Sequence, residues 1–152
     1  MWIVCFAPTG AKRRPSAIFH DIGKMWEISE FPANDYTDEG QLLGHIFLGA
    51  ELIGKEAALI PGFPPVLARE LRHCILAHHG ELEYGSPKKP AMAEAMALSF
   101  ADNLDAKMET ITEEYDKAEP TLQWLGFNRL LDSNIRQSSG YLKKRKEMEK
   151  AD

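Results

Sequence analysis

From Ser16 onward the apolar positions fall into a helical rhythm. Ala17, Ile18, Ile22, Met25 and Trp26 lie near helical spacing and predict a first helix. The stretch SEFPANDYTDEG, residues 29–40, combines proline, Asn-Asp and glycine and predicts a connector. A second helix is expected over residues 41–60, with Leu42, Ile46, Gly49, Ala50, Ile53 and Ala57 as its buried stripe. PGFPP stops it, and Pro64 or Pro65 suits the first turn of a third helix over residues 65–79. Gly80 is that helix's expected C-terminal cap, and residues 80–90, GELEYGSPKKP, read as a loop. Residues 91–118 are rich in alanine, leucine, methionine and glutamate and predict a long fourth helix, broken by Pro120. A shorter fifth helix is expected over residues 121–135. Strict alternation is absent, so the fold class expected is all-α. Residues 1–15 read as an irregular leader, 16–140 as one domain, and 141–152 as a charged, solvated tail.

Composition narrows this picture. The chain has 152 residues, enough for one domain with a real core. Its net charge of −5 excludes a uniformly basic surface, so contact with nucleic acid needs a local basic patch or a metal cluster. Cys5 and Cys74 are far apart with no CxxC spacing, which points to a reducing, cytoplasmic setting. There is no apolar run of about 18 residues to span a membrane. MWIVCFAP is apolar, but its basic residues follow it, the wrong order for a signal peptide.

The chemistry lies in the histidines and two aspartates. AIFHDIGK ends an apolar run with His20 beside Asp21, and Lys24 lies one turn further on. A lone helical histidine ordinarily serves packing, and a lysine at a helix end is ordinarily solvated. Here His45 flanks an apolar stripe, His78 and His79 end an apolar helix, and Asp102 follows Ala95 and Leu98 at 3–4 spacing. A buried carboxylate needs a partner or a metal. Four helical segments would thus bring imidazoles and carboxylates to one core, as helical bundles do when they build metal sites. Without thiolates the set suits Mn, Fe, Co, Ni or Zn, with Mg also allowed.

The ordered segments HDIGK, GQLLGHI, ILAHHGELEYGSPKKP and ADNLDAK resemble the HD-domain metal-dependent phosphohydrolases, over about residues 16–140. The HHG…YGSP…P loop and the DNLDAK helix look most like the HD domain of the YhaM-type bacterial 3′-5′ exoribonucleases. The resemblance implies an all-α HD-domain helical bundle. It also implies two divalent ions, Mn or Co foremost, held by His20, Asp21, His45, His78, His79 and Asp102, with His78 ranked above His79. Asp21 and Lys24 would be the catalytic pair, Asp21 bridging the ions and Lys24 meeting a phosphate oxygen. His73 is assigned to packing or to the surroundings of the ligands. The activity implied is stepwise hydrolysis of single-stranded RNA, and sometimes DNA, from the 3′ end by metal-activated water. Tyr84, Lys88 and Lys89 would line the mouth of the site, the tyrosine stacking on a base and the lysines meeting phosphate.

Two departures from the family pattern bear on that expectation. The family carries a further ligand histidine upstream of the HD pair, and no histidine precedes His20 here. The family also carries an N-terminal OB-fold that grips single strands, and none is read in this chain. The chain is therefore expected to be an N-terminally truncated form, with a second copy or a companion OB-fold polypeptide to complete it. The other readings are a small-nucleotide or cyclic-dinucleotide phosphohydrolase, although EYGSPKKP is not a clean GYP motif, and a non-catalytic helical module.

Overall fold

A computed structural model describes residues 18–119 and 121–142. The expected leader, Cys5 and the first residues of the predicted first helix lie outside the described residues, as does all but the start of the tail. The chain divides into one unit up to Asp102 and a second from Asn103.

The first unit holds α1 (Lys24–Glu27), α2 (Asp38–Leu42), α3 (Gly44–Leu59), α4 (Pro65–Leu76) and the opening turns of α5 (Ala93–Lys117). A single turn of 3-10 helix, Leu82–Tyr84, lies in the loop before α5. Pro65 occupies the first turn of α4, where its missing N–H leaves no intrahelical bond unmade. Cys74 and Ala77 pack on Ala95 and Leu98, with Met92 against them. On α3, Ile46, Gly49, Ala50 and Ala57 are buried as expected. The Arg72 Nε–H donates to the Ala50 carbonyl at 3.1 Å and ties α4 to α3.

Two expectations are corrected here. The predicted first helix is interrupted: among the described residues Ile18 and Phe19 are helical, residues 20–23 form a turn, and α1 follows. From Phe19 to Trp26 the backbone is held by i→i+3 bonds, such as Ile22 N–H to the Phe19 carbonyl and Lys24 N–H to the Asp21 carbonyl. The turn breaks the helical phase of the expected stripe, and Ile18 and Met25 are each 70% exposed. The predicted second helix is two helices. The left-handed φ of +74° at Gly44 separates α2 from α3, and Leu42 is 82% exposed instead of buried. α2 also starts earlier than expected, inside the presumed connector, because Thr37 Oγ1 accepts the Gly40 N–H at 2.9 Å and caps it.

In the second unit the expected fifth helix is a hairpin of β1 (Trp124–Asn128) and β2 (Ser133–Arg136), paired antiparallel. The turn chemistry decides this. Asn128 Oδ1 accepts the N–H groups of Leu130 and Leu131, and Asp132 has a φ of +48°. Gly126, at φ +96°, supplies a further non-helical position. The rest of the described chain bears out the helical class.

Close backbone approach fixes the turn that carries His20 and Asp21. A Cβ on Gly23 would collide with the His45 carbonyl and the Gly49 backbone nitrogen, so only glycine lets that turn sit on α3. Gly23→Ala should therefore destabilise the fold by about 1–3 kcal/mol. Thermal unfolding in EDTA checks this, with Gly140→Ala, whose Cβ meets nothing, expected to melt as the parent does.

Candidate metal centre

The turn after Phe19 presents His20 and Asp21, the first turn of α3 presents His45, the residues just past α4 present His78 and His79, and α5 presents Asp102. These residues, far apart in sequence, meet. His78 is fully buried, and its Nε2 lies 3.6 Å from Asp21 Oδ1. His45 Nε2 lies 3.6 Å from the same oxygen. His20 Nε2 lies 3.5 Å from Asp21 Oδ2 and 3.4 Å from Asp102 Oδ1. The His78 and His79 rings are 4.3 Å apart edge to face. His45, His78 and His79 each offer a ligand atom within 4.8 Å of the others.

Asp21 Oδ1, His45 Nε2 and His78 Nε2 are buried and have no hydrogen-bond partner. Their separations of 3.6 Å are too long for hydrogen bonds. An unsatisfied buried polar atom costs about 1–3 kcal/mol, and three that face one another suit a cation. The other ring nitrogens are engaged. His45 Nδ1 contacts Glu27 Oε1 at 3.0 Å, His78 Nδ1 the Ile75 carbonyl at 2.6 Å, and His79 Nδ1 the Tyr84 carbonyl at 2.8 Å. An Nδ1–H that donates outward leaves the Nε2 lone pair facing inward, the tautomer a metal ligand needs. With nitrogen and carboxylate oxygen donors and no thiolate, this set fits a divalent transition metal.

The frame that holds these rings is local. Gly80 stands at φ +80°, and a Cβ there would strike Ser99, so the chain turns sharply after His79 only with glycine. The Ser86 hydroxyl donates to the Leu76 carbonyl and pins the following loop to the end of α4. His73, expected to pack nearby, accepts the Ala91 N–H on Nε2 and anchors the approach to α5. Lys24 lies on the other side of Asp21, its ammonium 2.7 Å from Oδ2. The Tyr84 side chain and Lys88 are exposed, and the Lys89 ammonium is paired with Glu81.

Electrostatics favour the charged carboxylates. Burial acts to raise the Asp21 carboxyl, but His78, the Lys24 ammonium and His20 outweigh it and hold it well below the usual range. Asp102 is likewise lowered, with burial opposing and His20 the main stabilising neighbour. Burial lowers the His79 imidazole, and His78 and His45 add to that, which favours the neutral ring.

Glu27 was not among the residues picked out from sequence. It is 7% exposed, and its Oε1 accepts both the backbone N–H of His45 and the ring contact at 3.0 Å. Burial opposes its ionisation, but His45 holds its carboxyl below the ordinary value. The one signal in the sequence is a carboxylate inside the apolar run MWEI, and its partner lies 18 positions away. Glu27→Gln keeps the shape but replaces the anion that orients His45. It should weaken Mn binding by roughly 10–100-fold, as measured by equilibrium titration, with the helical spectrum unchanged.

The HD domain family matches residues 14–107 of this chain. The 3′-5′ exoribonuclease YhaM of Geobacillus sp. (strain WCH70) is 44% identical over 103 residues, which cover 68% of this chain and 32% of that protein. The chain thus spans about a third of the length of that relative. No solved structure matches it. No helix among the described residues is long and apolar enough to cross a membrane. The family match takes in every candidate ligand from His20 to Asp102, on a helical frame, and the chain belongs to the HD domain family.

Proposed function

We propose that this chain is a metal-dependent phosphodiesterase that hydrolyses single-stranded RNA from the 3′ end. One observation carries the reading: Asp21 Oδ1, His45 Nε2 and His78 Nε2 are buried, lack partners and face one another. The likeness to a 3′-5′ exoribonuclease supports RNA as the substrate class.

In this reading His45, His78 and His79 hold one ion and His20 and Asp102 the other, with Mn or Co as the metals. Asp21 belongs to both sets, since Oδ1 faces His45 and His78 while Oδ2 faces His20. Divalent ions bound there would lower the pKa of a coordinated water and polarise the phosphoryl oxygen. Glu27 keeps His45 oriented. Lys24, half exposed beside Asp21, offsets the negative charge that grows on the non-bridging oxygens. Tyr84 and Lys88 form the rim, and Lys89 reaches phosphate by exchanging its Glu81 partner. The site works in the cytoplasm, with a second copy or an OB-fold polypeptide supplying further grip on the strand.

The test is a 5′-labelled oligoribonucleotide incubated with the purified chain and Mn. A ladder of products shortened from the 3′ end is expected, and Asp21→Asn should slow it by at least about a hundredfold. Turnover of cyclic dinucleotides or bis-p-nitrophenyl phosphate without any RNA ladder would move the assignment to small-nucleotide hydrolysis. No turnover of any substrate by metal-loaded protein would reduce the chain to a binding module.

A further inference from the structure

The two oxygens of Asp21 face unequal surroundings. Oδ1 is buried without a hydrogen-bond partner, 3.6 Å from both His45 Nε2 and His78 Nε2, which are buried and unpartnered themselves. With His79, that side offers three imidazoles and one carboxylate oxygen, and the ring atoms lie within 4.8 Å of one another. Oδ2 faces the other way. It lies 3.5 Å from His20 Nε2, and the same nitrogen lies 3.4 Å from Asp102 Oδ1. That side offers one imidazole and two carboxylates, and its carboxylate side chains are partly open to water.

The outer side also holds a cation of its own. The Lys24 ammonium donates to Asp21 Oδ2 at 2.7 Å, a charge-assisted hydrogen bond. The Lys24 backbone N–H donates to the Asp21 carbonyl, so the turn that presents the carboxylate presents the ammonium too. The lysine side chain is half exposed on a flexible stem and can swing away without disturbing the core. Among the described residues no ion pair places a lysine or arginine at Oδ1. A divalent ion held by Oδ2 competes for the oxygen that the ammonium occupies, and beside that ammonium it meets a like charge. The inner half therefore has unmet demand and no competitor, whereas the outer half has a satisfied oxygen and a resident one.

We propose that the centre fills in order: an ion at His45, His78, His79 and Asp21 Oδ1 binds first, and Lys24 guards the half formed by His20, Asp21 Oδ2 and Asp102, which takes its ion only when the ammonium leaves. The inference rests on the two-ion reading above and gives Lys24 a role in metal binding before any substrate is present. The displaced ammonium is then released for the phosphate contact assigned to it.

Titration of the chelator-stripped full chain with Mn, with free Mn read from its electron paramagnetic resonance signal, measures this order without substrate. A tight first step and a weaker second step are expected. Lys24→Met should tighten the second step by at least about threefold, as removal of a partly exposed ion pair and a nearby like charge requires, and should move the first step much less. Lys24→Arg keeps the cation and should keep the parent's two steps. Asp102→Asn should weaken the second step and spare the first, which assigns the weaker step to the outer half. Circular dichroism of each variant should match the parent. A parent that holds one ion and a Lys24→Met chain that holds two is the expected result at its limit. A second step unmoved in folded Lys24→Met overturns the inference. So does an equal tightening of both steps, which marks a general effect of charge, and so do two equal steps in the parent or a single ion in both chains. These results leave the phosphodiesterase reading to the RNA ladder. Ordered binding that responds to Lys24→Met in a chain that degrades no RNA would sink that reading and leave the guard standing. A parent and a Lys24→Met variant that both bind no Mn would overturn the two together.

Discussion

The structure of the first unit turns on one unmet electrostatic demand. A carboxylate oxygen and two imidazole nitrogens from separate elements are taken out of water and left facing one another without hydrogen bonds. Folding would avoid such an arrangement unless a cation rewarded it, since each buried unsatisfied atom is destabilising. The outward hydrogen bonds of those two histidines and of the neighbouring His79 make the point sharper. Glu27, the Ile75 carbonyl and the Tyr84 carbonyl occupy the far ring nitrogens and leave the near ones for a metal.

The glycines explain how so short a chain brings these groups together. Gly23 lets the turn of His20 and Asp21 rest directly on the backbone of α3, beside His45. Gly80 lets the chain reverse immediately after His79 and lie against Ser99 of α5. Both act through close contact, so the metal centre is set by backbone approach as much as by side chains.

The long elements of the fold were legible because their signals are local. Proline at the start of α4, the alanine- and glutamate-rich α5 and the small-residue stripe of α3 all lie where the sequence predicts them. Two of the errors came from single turn residues, Gly44 with its positive φ splitting one predicted helix, and the Asn128 side chain, with Asp132 at positive φ, turning another into a hairpin. The first helix is interrupted because the turn at residues 20–23 breaks the phase on which the reading depends. In the site, the sequence order of histidines and aspartates named the groups that meet, aided by family likeness. Glu27 escaped because its meaning depends on a contact 18 residues away that no local pattern encodes.

The central claim is that Asp21, His45 and His78 share a cation. Anomalous scattering from crystals of the chain grown with Mn tests it most directly. The account predicts a peak within coordination distance of Asp21 Oδ1, His45 Nε2 and His78 Nε2 together. Crystals with Mn bound elsewhere, or none bound, and those three atoms still buried and facing one another would contradict it.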